Sequence, residues 1–398
     1  MNEFGVTLDN LRGTNYLFNS GAMVQADFAL LSHQSDAGPR NGTYDFTNID
    51  SELAMLARSG FNNLRIWPPF FGWIIDKAQY RAHLREFLAA CRRHRLTLTW
   101  ALWNAVGNGV LWQTHDLASL IGGAVGDTTN DGLYDTLTRL TELFQSQNSR
   151  WVPAGKPGYS TGYPAPGNGL LRQSGDPRSW RDASYIQRVE EYLRDVLEIL
   201  KSADGQATLF EIDVANEFDG VGIPLGNTLD FVAWNLDIIR QELPNAPVTV
   251  GWAEHRAVPY SGYFAEMQQR GIALSCHSFH IYVDEPHQYV ERILPLLEWA
   301  DPHPIRLKAT EFYRTDTAEW GRLDTGLEFF AEHRVPTIMW GFINSNLYDD
   351  PNKTGSQNNQ YLDGVVEATE LGYGREYEFS VRNRPDYEAV LRYNGVAP

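Results

Sequence analysis

The stretch Phe210–Phe218, FEIDVANEF, alternates apolar and acidic residues and then ends in the polar pair Asn216 and Glu217. Alternation with a period of two residues is typical of a β-strand. Apolar strands that end in polar side chains are characteristic of parallel α/β sheets, in which functional groups collect at the carboxyl ends of the strands. A sheet of this kind requires further strands of the same type, separated by helices.

Short apolar runs do alternate with helical patterns on both sides of this stretch. The helix predicted over 184–201 has the clearest pattern, because apolar residues recur at helical spacing with charged residues between them. Eight strands in alternation with eight helices predict an α/β fold, a single (β/α)₈ TIM barrel that spans residues 1–398 as one domain. The predicted strands are Leu11–Tyr16, Asn63–Trp67, Leu96–Trp103, Thr208–Ala215, Val248–Trp252, Leu274–Tyr282, Ile305–Glu311 and Pro336–Ile343. The predicted helices are Ile49–Ser59, Gln79–His94, Ser184–Lys201, Leu229–Glu242, Tyr263–Arg270, Gln288–Trp299, Thr325–His333 and Asp386–Tyr393.

Two connections are too long for ordinary turns, one over 104–183 after strand three and one over 344–385 after strand eight. Both are rich in Gly, Pro, Asn and aromatic residues. Because both follow strands, the barrel places them on the face that carries active sites. Long loops in compact domains usually serve as lids or binding walls. The first loop also has enough periodicity at 133–144 to predict a helix of its own.

The composition excludes several classes of protein. Of the 398 residues, 50 are acidic and 33 are basic, which gives a formal net charge of −17 and argues against a nucleic-acid-binding protein. No apolar run is long enough to span a membrane. No signal peptide is visible, which favours a cytoplasmic protein, with a secreted protein whose leader was removed as the alternative. Cys91 and Cys276 are predicted to be small buried thiols. Since no Cys/His spacing indicates zinc, neither a metal nor a cofactor is predicted.

Aromatic residues make up 13% of the chain and include 12 Trp. Core packing accounts for much of this content, but a flat indole is also a good platform for a sugar ring. Trp67 and Trp103, at the ends of strands two and three, are therefore candidates for contact with a carbohydrate, with core packing as the alternative for each.

Two glutamates are the candidates for catalysis. Glu217 lies at the end of strand four and Glu311 at the end of strand seven, so the two face each other across the mouth of the predicted barrel. Cleavage of a glycosidic bond uses such a pair, because one carboxyl group protonates the leaving oxygen while the other attacks the sugar or activates water. A single glutamate at a strand end could equally be there only to solvate that end. The surroundings of the pair therefore decide between catalysis and solvation.

Polar residues end several other predicted strands as well. Arg65 lies within the apolar strand two, where a buried guanidinium requires an acidic partner, for example one of the two acids of strand four. His280 and Tyr282 share one face at the end of strand six, and Trp340 ends strand eight. These side chains would meet at the same rim of the barrel as the two glutamates.

Together these residues resemble the motif set of the clan A retaining glycoside hydrolases, especially glycoside hydrolase family 5, which contains cellulases and β-mannanases. The set runs in order from strand two to strand eight and so covers most of the chain. Within the family, the mannanase branch is the most similar one. The residues that carry the resemblance are Arg65, Asn216, Glu217, His280, Tyr282, Glu311 and Trp340.

The resemblance implies a retaining β-glycosidase that hydrolyses β-linked gluco- or manno-configured oligo- or polysaccharides, with Glu217 as general acid/base and Glu311 as nucleophile. Arg65 and Tyr282 would contact Glu311 and keep it ionised, as a neighbouring cation and a hydroxyl donor do. Burial and the charge of Glu311 would keep Glu217 protonated. The other implied roles are a contact to the sugar 2-hydroxyl for Asn216, a hydrogen bond near the carboxylate pair for His280, and the floor of the subsite for Trp340.

The sequence departs from the family at two points. Phe218 follows the Asn-Glu pair where the family usually has proline, which leaves the subfamily open. Glu254 and His255 after strand five also depart from common patterns and are candidates for determining the choice of substrate.

Three other functions use the same residues or the same barrel. A transglycosidase would have the same site with a sugar as the acceptor, and an inactive barrel would bind carbohydrate without cutting it. A metal-dependent barrel hydrolase is disfavoured, because His277 and His280 would lie on opposite faces of their strand. The ligands considered for that third reading are His115, His277, His280, Asp284 and Glu311.

Overall fold

The computed structural model describes residues 2–16, 46–66, 73, 77–103, 183–217, 225–253, 260–283, 287–303, 305–312, 323–345, 365–369, 378–381 and 383–397. The predicted helix over 133–144 lies outside these residues, as do most of the long connection after strand three and the side chain of Trp67.

Eight parallel strands form a closed barrel in which each strand pairs with the next one along the chain and the eighth pairs with the first. This confirms the predicted (β/α)₈ architecture. The strands of the barrel are β1 (Arg12–Asn15), β2 (Asn63–Ile66), β3 (Thr97–Ala101), β4 (Leu209–Asn216), β5 (Val248–Trp252), β6 (His277–Ile281), β7 (Leu307–Phe312) and β8 (Thr337–Met339).

The predicted helices are present, with ends that differ by a few residues at most. A six-residue helix immediately before β4 was not predicted, and a short 3₁₀ helix lies at Leu8–Asn10. The helices are α1 (Phe46–Arg58), α2 (Lys77–Arg93), α3 (Ala183–Leu200), α4 (Ala203–Thr208), α5 (Leu225–Glu242), α6 (Tyr260–Gln269), α7 (His287–Ala300), α8 (Leu323–Glu332) and α9 (Arg384–Tyr393).

The prediction for the end of strand eight is wrong. The predicted strand over 336–343 is interrupted at Gly341, whose φ of +34° lies in the left-handed region that glycine tolerates. The chain then enters a second sheet, in which β9 (Ile343–Ser345) pairs in parallel with β10 (Val366–Thr369). Strand β10 pairs in turn with the antiparallel β11 (Glu378–Val381). Part of the predicted loop over 344–385 is therefore sheet.

The barrel strands are buried on both sides, as expected for a parallel sheet covered by helices. One set of alternate residues, for example Leu64 and Ile212, belongs to the apolar core that the strands share with the helices. The other set fills the barrel interior and is largely polar. At its centre Lys308 of β7 forms an ion pair with Glu211 of β4, and both side chains are almost completely buried.

The two cysteines are free and buried, as predicted. Cys276 lies in the barrel interior, where its thiol donates to Glu211 Oε2 over 3.3 Å. Among the helices of the described segments, none is long and apolar enough to cross a membrane.

Candidate active site

The polar side chains that end the barrel strands converge at one rim. Glu217 follows β4 directly, Glu311 is the fifth residue of β7, and His280 and Tyr282 come from the end of β6. The side chain of Arg65 reaches from β2 into the centre of this group. Strands that are far apart in sequence thus deliver these groups to one point, as closure of the barrel requires.

The two candidate carboxylates lie close together. One atom from each of Glu217, His280 and Glu311 lies within 4.8 Å of the others. The Nδ1 atom of His280 is 2.6 Å from Glu217 Oε1 and 3.5 Å from Glu311 Oε2, so the imidazole bridges the pair. Carboxyl groups about 5–5.5 Å apart are typical of retaining glycosidases, whereas inverting enzymes need a wider gap of about 6.5–9.5 Å for a water molecule. One oxygen of Glu217 therefore lies closer to an oxygen of Glu311 than the wider gap requires.

Arg65 is completely buried, and all five of its N–H donors have acceptors. Nη1 donates to Glu311 Oε1 over 2.6 Å and to Asn15 Oδ1 over 3.1 Å. Nε and Nη2 donate to Asp213 Oδ2 over 2.9 and 2.7 Å, and Nη2 also donates to Asn216 Oδ1. This network offsets the cost of burying the charge and fixes the orientation of the guanidinium.

The surroundings of Glu311 act on its pKa in opposite directions. Burial raises the pKa of this carboxyl group above its usual value, and the nearby charge of Glu217 acts in the same direction. Arg65 and the hydroxyl of Tyr282, which donates to Glu311 Oε2 over 2.8 Å, oppose that rise. The raised pKa means that Glu311 ionises at a higher pH than an ordinary glutamate.

The imidazole of His280 is held in its neutral form. Burial lowers the pKa of His280 to about 4, and the charge of Arg65 acts in the same direction. A neutral imidazole can bridge two carboxyl groups without adding a positive charge to the site. His280 therefore contributes a hydrogen bond to Glu217 rather than a counter-charge.

Glu217 has an unusual backbone conformation. Its φ of +54° lies in the left-handed region, which costs a residue other than glycine about 1–2 kcal/mol. The conformation is fixed from β5, because the N–H of Glu217 donates to the carbonyl of Gly251 over 2.8 Å. Strain of this kind is often found at functional sites.

Sequence reasoning missed two members of this cluster, Asn15 and Gly251, and left Asp213 undecided as one of two partners for Arg65. Asp213 and Asn216 are three positions apart, so strict alternation would place them on opposite faces of β4. The register of β4 against β5 shifts between these two residues, and both therefore reach Arg65. Such a shift has no clear signal in the sequence. The demand of a buried guanidinium for five acceptors is the signal that could have pointed to Asn15.

The tryptophans fall into different places. Trp340 is 8% exposed. Its backbone N–H donates to the carbonyl of Phe312, which places Trp340 beside the strand end that carries Glu311. Trp103 lies in the core instead. It is 1% exposed, its indole N–H donates to Asn235 over 2.8 Å, and its ring packs against Tyr192. With no open face for a sugar, Trp103 is a packing residue and does not line this rim.

Several other predicted residues lie outside the described part of the chain, including Trp67, Phe218 and the Glu254-His255 pair. Of the residues considered for a metal, His277 packs against Phe264 with ring centroids 4.4 Å apart, and His115 and Asp284 lie outside the described residues. Within the described segments, the side chains that could offer ligand atoms to one cation are Glu217, His280 and Glu311, the same three that form the carboxylate pair and its bridge.

No family model matches the sequence, and no curated protein matches it either. The fold is similar to that of solved mannanases and a mannosidase. An exo-β-1,4-mannosidase from Opitutaceae bacterium strain TAV5 superposes with a TM-score of 0.54 at 16% identity, over 96% of this chain and 58% of that one. An endo-1,4-β-mannanase from Rhizomucor miehei gives 0.52 at 12% identity, over 97% and 94% of the two chains. An endo-β-1,4-mannanase from Thermotoga petrophila gives 0.51 at 12% identity, over 98% and 78%. This chain therefore shares the barrel fold of these glycosidases.

Proposed function

We propose that this protein is a retaining β-glycosidase in which Glu217 is the general acid/base and Glu311 the nucleophile. The observation that carries the proposal is the proximity of the two carboxyl groups, which are bridged by His280 at one rim of a closed (β/α)₈ barrel. The similarity of the fold to mannanases and a mannosidase supports the same reaction class.

In the first step, Glu311 attacks the anomeric carbon and forms a glycosyl ester, while Glu217 transfers its proton to the oxygen of the departing group. Arg65 and Tyr282 each donate to one oxygen of Glu311. These donors favour the ionised form, which is the reactive one. They also orient the carboxylate towards the sugar.

In the second step, Glu217, now a carboxylate, takes a proton from water, and the resulting hydroxide displaces Glu311 from the anomeric carbon. Conversion of Glu311 into an ester removes its charge, so the pKa of Glu217 falls when the residue must act as a base. Asn216 would donate from its amide nitrogen to the sugar 2-hydroxyl, because its carboxamide oxygen is directed at Arg65.

The proposed substrate is a β-linked gluco- or manno-configured oligo- or polysaccharide. The manno configuration is favoured because proteins of similar fold include β-1,4-mannanases and a β-1,4-mannosidase. A transglycosidase would use the same two carboxylates, with a sugar hydroxyl in place of water.

Labelling with a panel of activated 2-fluoro β-glycosides (gluco, manno, galacto and xylo) tests the proposal. The fluorine slows both steps, and the good leaving group lets the first one proceed, so the glycosyl-enzyme accumulates. We expect a mass gain of one sugar, located by peptide mass spectrometry at Glu311, with one configuration reacting faster than the others.

The Glu311→Gln variant is the matched control, since it keeps the shape of the side chain and removes the nucleophile. Labelling of that variant, or labelling of the wild type at another residue, would contradict the assignment of Glu311. If the wild type binds oligosaccharides but neither labels nor cleaves them, the protein is a binding barrel. Loss of glycosidase activity on treatment with a chelator would instead support the metal-dependent alternative.

A further inference from the structure

Gly251 of β5 connects Glu217 with Asp213 through its backbone, without contributing a side chain to the candidate site. Its carbonyl accepts the N–H of Glu217 over 2.8 Å, and its own N–H donates to Asp213 Oδ1 over 2.9 Å. The first bond fixes the backbone that carries one carboxylate. The second bond fixes Asp213, which acts on Glu311 through Arg65.

Asp213 does not contact Glu311, yet it sets the direction of the arginine that does. The carboxylate of Asp213 is completely buried and accepts two of the five N–H donors of Arg65. With Nε and one N–H of Nη2 taken, the planar guanidinium can only present its remaining donors towards Glu311, Asn15 and Asn216.

The missing Cβ of Gly251 is also part of the arrangement. A Cβ at this position would lie 2.9 Å from Arg65 Nη2, 3.0 Å from Asp213 Oδ2 and 3.1 Å from His280 Nε2. The distance to Arg65 Nη2 is shorter than Cβ atoms in proteins tolerate, so Arg65 would have to move, and Asp213 and His280 would each have to give way by a few tenths of an ångström. Glycine leaves the space in which they meet.

We propose that Asp213 and Gly251 are positioning residues: Asp213 directs Arg65 at Glu311 and Asn216, and Gly251 holds Asp213 and Glu217 through its backbone while leaving room for Arg65 and His280. This inference rests on the proposed function, because the groups that are positioned are the proposed nucleophile and acid/base. It adds a coupling between them that runs through β5.

The first test is the Gly251→Ala variant, with Gly226→Ala as its matched control. Gly226 lies in α5, and a Cβ there would meet only Arg270 Nη2, at an ordinary contact distance of 3.5 Å. On the aryl β-glycoside that the labelling panel selects, we expect Gly251→Ala to lower kcat by about 10–100-fold with little change in KM, since small misplacements of catalytic groups have effects of this size. Gly226→Ala should keep the kcat of the wild type.

The second test asks whether Asp213 acts through Arg65. We expect Asp213→Asn to lower kcat/KM at least ~10-fold in the wild-type background but by less than about threefold in Arg65→Lys, because residues that act as one unit are not additive. A role in stability alone would lower the melting temperature and leave the two effects multiplicative. Multiplicative effects, or a Gly251→Ala variant with the kcat of the wild type, would overturn the proposal.

Crystal structures of Gly251→Ala and Asp213→Asn give a reading that needs no activity. We expect Arg65 Nη1 to move beyond hydrogen-bond distance of Glu311 Oε1, from the 2.6 Å of the wild type. If the contact is retained in both variants, the positioning role is wrong. A wild type that cleaves no glycoside would refute the proposed function, but the crystal structures would still decide whether Asp213 and Gly251 position Arg65. Because the two variants are independent, the failure of one to fold leaves the other as the test.

Discussion

At the scale of single residues, the charge of Glu311 is controlled by donors that act against its burial. Arg65 and Tyr282 bind the two oxygens of the carboxylate separately, and each of them favours the ionised form. The pKa is nevertheless raised, because the side chain is almost completely buried and lies beside a second carboxylate. The position of the acid limb of the pH–rate profile therefore depends on each donor.

The Tyr282→Phe variant removes one of these donors. Since the lost hydrogen bond favoured ionised Glu311, the pKa of this carboxyl group rises further and the acid limb of kcat/KM moves to higher pH. A hydrogen bond to a charged group contributes about 1.5–3 kcal/mol, so kcat/KM at its optimum should also fall about 10–100-fold. An acid limb that stays in place or moves to lower pH would show that Tyr282 does not act on the ionisation of Glu311.

The Glu217→Ala variant separates the two steps of the reaction. Without an acid, substrates with good leaving groups should still form the glycosyl-enzyme, whereas substrates with poor leaving groups should react at least ~100-fold more slowly. Added azide, which attacks without needing a base, should accelerate turnover of the good substrates and give a β-glycosyl azide. The product is read by NMR, and an α-azide or equal losses for both classes of substrate would argue against the role of Glu217.

At the scale of secondary-structure elements, helices α3 and α5 hold a tryptophan that the sequence suggested as a sugar contact. Trp103 donates to Asn235 of α5 and packs against Tyr192 of α3. We expect Trp103→Phe to lower the free energy of unfolding by about 1–3 kcal/mol, because Asn235 then loses a buried hydrogen-bond partner. KM should be unchanged.

Trp340→Phe is the counterpart of this variant, because Trp340 lies beside the strand end that carries Glu311. It should raise KM with a smaller effect on stability. Urea unfolding and steady-state kinetics on both variants give the comparison. A raised KM in Trp103→Phe alone would return that residue to the substrate site.

The sequence predicts elements well where one physical rule acts alone. Strand β5 has the predicted bounds, because its apolar run is bordered by residues that do not belong in a strand. Strand eight was predicted too long, since the apolar pattern continues through Gly341 while the backbone turns there into a second sheet.

The same contrast holds for the candidate site. The residues with polar side chains at strand ends were predicted, and the structure places Arg65, His280 and Tyr282 around the two glutamates. The contacts of Asp213 could not be predicted in full, because they depend on a register shift that breaks the alternation on which sequence reasoning relies. A glycine such as Gly251 has no side chain, so its importance is visible only from what surrounds it.

At the scale of the whole molecule, the barrel interior is polar over most of its depth. Beneath the Arg65 network, Lys308 and Glu211 form a second buried ion pair, and Thr99 also donates to Glu211 over 3.2 Å. TIM barrels are more usually filled by branched apolar side chains. The interior of this barrel therefore depends on the match of Lys308 with Glu211, although burial lowers the pKa of Lys308 well below its usual value.

The Lys308→Met variant breaks that match. Because Glu211 is left buried without its cation, the free energy of unfolding should fall by about 3–5 kcal/mol, as for other broken buried pairs. The double variant Lys308→Met/Glu211→Leu removes both charges and should recover most of the loss. Denaturant unfolding of the wild type and both variants measures this, and a single variant as stable as the wild type would show that the pair carries no such coupling.

Shortening Glu311 to alanine would leave Arg65 Nη1 and the Tyr282 hydroxyl facing the space of a carboxylate. Arg65 is held in place by Asp213, and the backbone carbonyl of Tyr282 accepts a hydrogen bond from Arg292. The vacated space would thus be a preformed pocket for a small anion, of a size suited to formate or a halide ion. An α-glycosyl fluoride bound there would resemble the missing intermediate, with a departing fluoride near two donors. If the proposed function is right, such a variant would join sugars into oligosaccharides without hydrolysing them.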